Sequence, residues 1–151
     1  MRERVPGITL RTTLLTGFPG ETEDDFNQIE NFVRETRFNR LGVFTYSHEE
    51  DTSAYALKDS LSAEEKEERA QEIIAFQQDI SLEKNQQKVG QTLRVVVDKK
   101  EAGRYIGRTE FDSVEVDNEV IILSNKKLNP GDFINVTITK AYDYDLEGVV
   151  V

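Results

Sequence analysis

Two nearly continuous apolar stretches joined by one amphipathic helix set the strongest constraint on what this chain can fold into. "ITLRTTLLTG" (Ile8–Gly17) is rich in β-branched residues and reads as a strand. "LGVFTYS" (Leu41–Ser47) reads as a second. Between them a helix starts after Thr22, a good N-cap, with Glu23, Asp24 and Asp25 at the positive end of its dipole. Phe26, Ile29 and Val33 recur at helical spacing with Phe32 beside them, and the pattern fades near Thr36. Strands so continuously apolar are usually buried on both faces, which predicts a parallel pair and a right-handed βαβ unit. Two strands are too few to cover their own faces and edges. The chain therefore reads as the tail of something larger, and its bare strand edges are expected to drive self-association.

A polar loop, "HEEDTSAYALKD", follows, and then "SAEE" (Ser62–Glu65) with the spacing of a capping box. A long helix begins there, with Ala70, Ile73, Ile74, Gln77 and Ile80 near one face. It is predicted to run to about Val89, with Gly90 as its stop. Beyond it the character changes to short strands. "TLRVVVD" is one and "AGRYIGRTEFD" holds another. "VEVDNEVIILS" looks like two runs split at Asp117-Asn118, "NPGD" is a turn, and "FINVTITKAY" and "LEGVVV" close the chain. The fold class is thus α/β plus all-β. Residues 1–89 form an α/β portion with a long helix, and residues 90–151 a small closed or nearly closed barrel of the OB type.

Composition removes several chemistries. The 151 residues contain no cysteine and one histidine, so thiolate metal sites and disulfides are impossible within this chain. No apolar run approaches a membrane span, and no signal peptide opens the sequence; a soluble, cytoplasmic setting is expected, with no membrane partner. The net charge of −10 argues against tight non-specific nucleic-acid binding. The barrel portion is itself mildly acidic, at −3 against −7 for residues 1–89.

Ligands of parallel α/β folds bind at the C-terminal ends of the strands. Gly17, Phe18, Pro19 and Gly20 lie at one such end, and Tyr46, Ser47, His48 and Glu49 at the next. Glycine lets a ligand approach the backbone, and Phe18, Phe44 and Tyr46 offer aromatic walls. An ordinary strand-to-helix turn with core aromatics explains the same residues. The segment lacks both common phosphate-cradle patterns. His48 reads either as a general base or as a solvated loop residue. Glu21 to Asp25 read as helix N-terminal electrostatics rather than a metal site, so no metal ligands and no catalytic residues are assigned. Lys99, Lys100, Arg104 and Arg108 with Tyr105 have the composition of a weak RNA platform, or of a solvated face. Tyr142 and Tyr144 in "AYDYDLEG" read as barrel packing or as a contact surface for a basic partner.

"LRTTLLTGFPGETEDDF", "RFNRLGVFTYSHEEDTSAY" and "QDISLEKNQQKVGQ" together resemble the last third of methylthiotransferases of the radical S-adenosylmethionine class, and the barrel resembles a TRAM domain. "VFTYSHEEDTSAY" and "YDYDLEG" resemble the branch that modifies an aspartate on protein twelve of the small ribosomal subunit. The mildly acidic barrel suits that basic protein substrate better than tRNA. The resemblance implies that residues 1–89 are the last βαβ-α portion of a TIM-like radical barrel, with the earlier strands and an N-terminal part upstream. It implies S-adenosylmethionine and two 4Fe-4S clusters in the intact enzyme, with none expected on this chain alone, which lacks the cluster cysteines and should be inactive. Gly17, Phe18, Pro19 and Gly20 match the segment that lies against the adenosylmethionine, and Phe44, Tyr46 and Ser47 the strand that borders its adenine. Arg11 is expected to contact cofactor or only to line the barrel interior. The implied activity is methylthiolation of the aspartate β-carbon. The small barrel is expected to recruit the ribosomal protein, with a weak RNA contact at most. Two other readings compete: a tRNA adenosine methylthiotransferase, and a non-enzymatic RNA- or protein-binding module.

Overall fold

A computed structural model describes residues 1–113 and 117–151. The first run of "VEVDNEVIILS", at 114–116, lies outside the described residues, and with it the first arm of the hairpin predicted at Asp117-Asn118. The chain divides into two compact units, residues 1–80 and 81–151, the division falling inside the long helix.

In the first unit, β1 (Arg11–Thr16) and β2 (Arg40–Thr45) form a two-stranded parallel sheet in the register Arg11 to Arg40 through Thr16 to Thr45. They are connected by α1 (Glu23–Thr36). Thr22 caps that helix as its sequence predicts. Its hydroxyl accepts from Asp25 N at 3.2 Å, and the Asp25 carboxylate accepts from Thr22 N at 3.0 Å. These hydrogen bonds from Thr22 hold the Asp25 carboxyl below its ordinary range. A second helix, α2 (Ala63–Gln86), opens on the capping box of Ser62 and Glu65. It ends at Gln86 rather than near Val89, and turns fill the residues up to Gly90.

Phe26 and Val33 of α1 and Ile73 and Ile80 of α2 form the unit's core, with Leu14, Ile29, Leu41 and Val43 packed against it. Strand residues alternate between two faces. Leu14, Leu41 and Val43 therefore put one face of the sheet against the helices. The other face, carrying Arg11, Thr13, Leu15 and Phe44, is bare: Leu15 is 48% and Phe44 63% exposed. The expectation of strands buried on both faces fails within this chain, because both helices pack on the same side.

The second unit is a closed barrel in the order β3-β4-β5-β7-β6. Its strands are β3 (Thr92–Glu101), β4 (Arg104–Thr109), β5 (Val120–Leu123), β6 (Phe133–Ala141) and β7 (Leu146–Val150). Among the described residues all pairings of these strands are antiparallel except β5 with β7. Val95, Val97, Tyr105, Val120, Ile122, Val136, Ile138 and Leu146 fill the interior at strand alternation. Asn129 to Asp132 makes the predicted turn, with Asp132 N donating to Asn129 O at 3.1 Å.

Closure brings backbones together at Gly148. A Cβ there would sit 2.5 Å from Val136 Cγ1 and 2.6 Å from Thr137 O. Gly148→Ala is expected to destabilise the barrel by about 1–3 kcal/mol through overpacking. Thermal melts followed by circular dichroism read this directly, and an unchanged melting temperature would contradict so close an approach of β6 and β7.

Candidate functional site

The C-terminal ends of β1 and β2 lie side by side, tied by a hydrogen bond from Tyr46 N to Thr16 O of 2.8 Å. After Thr16 the chain turns at Gly17, whose φ of +75° belongs to the left-handed region. A Cβ at Gly17 would lie 2.3 Å from Lys66 Cγ and 3.1 Å from Lys66 Cβ. The glycine is thus required by the chain's own packing: the stem of Lys66, in the first turn of α2, fills the space above it. Gly20 differs. Its φ is +91°, and nothing stands within 4 Å of where its Cβ would be. Of the two glycines, only Gly20 leaves backbone open to a ligand.

The turn is held by charges from α2. Gly17 N donates to Glu21 Oε2 at 2.9 Å, and Arg69 Nη1 donates to Glu21 Oε1 at 2.5 Å. Arg69 Nη2 reaches Glu23 at 3.0 Å. Between Phe18 and Glu21 a backbone hydrogen bond of 2.9 Å closes the turn around Pro19. Lys66 Nζ pairs with Asp59 at 2.5 Å and lies 5.1 Å from the centre of the Tyr46 ring. The hydrogen bond from Lys66 holds the Asp59 carboxyl below its usual range.

Three aromatic contacts follow from Phe18. Its ring meets Tyr46 edge-on at 5.3 Å between centroids. Tyr46 and His48 are 6.1 Å apart, with the tyrosine hydroxyl 3.3 Å from His48 Nδ1, and His48 leans on Tyr55 at 4.7 Å. The structure therefore brings Gly17, Phe18, Pro19, Gly20 and Tyr46 together. Ser47 turns to Glu49, donating its hydroxyl at 2.5 Å. Phe44 lies on the bare face of the sheet and takes no part in the ring contacts described here. His48 is exposed.

Sequence reasoning missed Lys66, Arg69 and Glu21 as the residues that fix the turn. The capping box at Ser62 puts Lys66 and Arg69 in the first two turns of α2, but no local pattern says what that end of α2 rests against. The basic-aromatic group in the barrel comes out differently. Tyr105 is part of the barrel core, its hydroxyl accepting from Leu128 N at 3.2 Å, because β4 turns it inward. Lys99 is paired with Glu101 and Glu119, and Arg108 with Asp98. Tyr105 is therefore turned into the core rather than out as a stacking surface, Lys100 lies 5.1 Å from its ring centre, and Lys99 and Arg108 are paired with carboxylates. Among the described residues no group of histidines and carboxylates is placed to hold a metal ion, and no helix is long and apolar enough to cross a membrane.

Residues 89–151 match the TRAM domain family, so the closed barrel has the sequence of a TRAM domain. Over its whole length the chain resembles ribosomal protein uS12 methylthiotransferases of the kind called RimO. It is 51% identical to that of Cytophaga hutchinsonii across 100% of this chain and 35% of the relative. It is 50% identical to that of Flavobacterium psychrophilum across 97% of this chain and 34% of the relative. With the Caldanaerobacter subterraneus protein the identity is 46%, across 95% and 33%. The chain spans about a third of the length of these curated relatives and corresponds to their C-terminal part. The methylthiotransferase resemblance read from the sequence holds throughout the chain.

Two substitutions test the geometry. Gly17→Ala meets both a strained φ and the Lys66 stem, and is expected to lower the stability of the first unit by about 1–3 kcal/mol, seen as a lower melting temperature. Asp59 has a folded pKa below its unfolded one, so its contribution is present above the ordinary carboxylate range and is lost as pH falls through the folded value. Asp59→Asn is therefore expected to be less stable than the parent at pH 7, with the difference shrinking as pH falls below the ordinary carboxylate range. A difference that stays constant with pH would show that the Lys66 pair is not its source.

Proposed function

We propose that the chain is the C-terminal part of an enzyme that methylthiolates an aspartate β-carbon of ribosomal protein uS12. The observation that carries this is identity at about half of the positions, in alignments that cover 97% or more of the chain, to proteins named for that activity. On this reading β1 and β2 are late strands of a larger parallel barrel, and the bare Leu15–Phe44 face looks toward its interior. The TRAM barrel recruits the basic protein substrate.

Two groups in the reaction come from outside this chain. S-adenosylmethionine and iron–sulfur clusters would supply the radical and sulfur chemistry. The chain has no cysteine, so the cluster thiolates must come from elsewhere in the enzyme, and the chain alone is expected to be inactive. The residues at the strand ends fit an adenosyl group. Gly20 leaves its backbone open, and the rings of Phe18 and Tyr46 meet edge-on on the same pair of strand ends. Gly17 sets the direction of the turn. Arg69, through Glu21, fixes the Gly17 amide, and Lys66 braces Tyr46 from the α2 side. These contacts fix the turn before any ligand arrives, which reduces the ordering cost of binding. Phe44 and Ser47 would lie further along the adenine side.

The test is a complementation experiment in a bacterium lacking its own uS12 methylthiotransferase. A full-length polypeptide containing this sequence is expected to restore the methylthio mass increment on the aspartate-bearing peptide of uS12, while the chain alone is not. An increment on tRNA adenosine with none on uS12 would overturn the reading in favour of the tRNA-modifying alternative.

A further inference from the structure

The hairpin between β6 and β7 is held more firmly than a short connection requires. Tyr142 N donates to Asp145 O at 2.8 Å, and the Asp145 carboxylate accepts from Glu119 N at 2.9 Å. A second support comes from outside the hairpin. Asn85, in the last turn of α2, is fully buried at 0% exposure. Its side-chain nitrogen donates toward Tyr142 O and Tyr144 O at 3.1 Å each and toward Asp143 O at 3.5 Å. Lys88 Nζ in turn donates to Asn85 Oδ1 at 3.2 Å.

Three successive carbonyls drawn to one buried amide leave the side chains of the tip facing out. Tyr142 and Tyr144 are each 44% exposed. The acids of this segment are not equivalent. The Asp145 carboxylate is taken up by Glu119 N, outside the hairpin, and Glu147 is buried and accepts from Lys140 at 2.7 Å. Asp143, between the two tyrosines in the sequence, is exposed. The packing alternative that the sequence left open for these tyrosines is thereby closed, since neither belongs to the barrel core.

We infer that Tyr142, Asp143 and Tyr144 form a preorganised contact for arginine side chains of a basic polypeptide segment. A guanidinium stacks on tyrosine faces and is attracted by their quadrupoles, and an exposed carboxylate on the same hairpin tip supplies its paired charge. Fixing the backbone beforehand spares the ordering cost that a mobile loop would carry. The net charge of −10 draws a basic partner toward the chain. Nucleic acid is the wrong partner here, because Asp143 would meet its phosphates. The inference deepens the proposed function and rests on it in one respect, that the barrel's partner is a basic protein.

The test is nuclear magnetic resonance of the tyrosine-labelled chain, titrated with an arginine-glycine repeat peptide, a lysine-glycine peptide of equal charge, and purified uS12. The signals of Tyr142 and Tyr144 are expected to shift with the arginine peptide and with uS12, and less with the lysine peptide. The double variant Tyr142→Ser, Tyr144→Ser is expected to bind both ligands about tenfold more weakly, with its thermal melt unchanged. Undiminished binding of uS12 by the double variant would overturn the inference and leave the proposed function standing. Binding of the arginine peptide through these tyrosines without any binding of uS12 would support the inference and count against uS12 as partner. A parent chain that binds neither, or binds the lysine peptide as tightly as the arginine one, would overturn the inference.

Discussion

Parallel strands need cover on both faces, and in this chain the cover is on one. Both helices of the first unit pack on the same side of β1 and β2, where Leu14, Leu41 and Val43 meet Phe26, Val33, Ile73 and Ile80. The opposite face shows Leu15 and Phe44 to solvent, and the sheet has only two strands. Parallel sheets are rarely left in this state, because bare apolar faces and unpaired edges invite association. On the proposed reading the first unit is one arc of a larger sheet, which would supply the missing cover. The barrel of the second unit is the opposite case. It closes on itself, fills its interior with its own side chains, and leaves no long edge unpaired.

At the ends of β1 and β2 the same economy appears on a smaller scale. One stretch of α2 serves packing and site together. Ala70 and Ile73 face the core, while Lys66 and Arg69, on neighbouring positions of the helix, reach the Gly17 turn. Charge here acts through geometry more than through stability. The carboxylate of Glu21 joins a backbone amide on one side to a guanidinium on the other, so the turn takes one shape. On the proposed reading that shape is what a cofactor meets, with the open backbone at Gly20 as its nearest approach.

Local features were legible in the sequence. The N-cap at Thr22 and the capping box at Ser62 were readable because a cap is written within four residues. The buried stripe of α2 and the turn at Asn129 to Asp132 were readable for the same reason. What could not be read depends on residues far apart in the chain. Gly17 looked like an opening for a ligand, yet Lys66, on a helix that begins more than forty residues later, occupies the space. Tyr105 sits among lysines and arginines and looked like part of a surface, but strand alternation turns it into the core. Asn85 carried no signal at all, since its role is defined by the carbonyls of a hairpin nearly sixty residues away. The candidate site was thus located by position along the strands, while the residues that brace it came only from the fold.

The most direct measurement of the central claim is amide hydrogen exchange, on this chain alone and on a full-length polypeptide that contains it. If β1 and β2 are late strands of a larger sheet, their outer amides gain strong protection in the longer protein, while the amides of the barrel strands β3 to β7 stay as they were. Equal protection of β1 and β2 in both proteins would contradict it, and would make the two-stranded unit a finished structure in its own right.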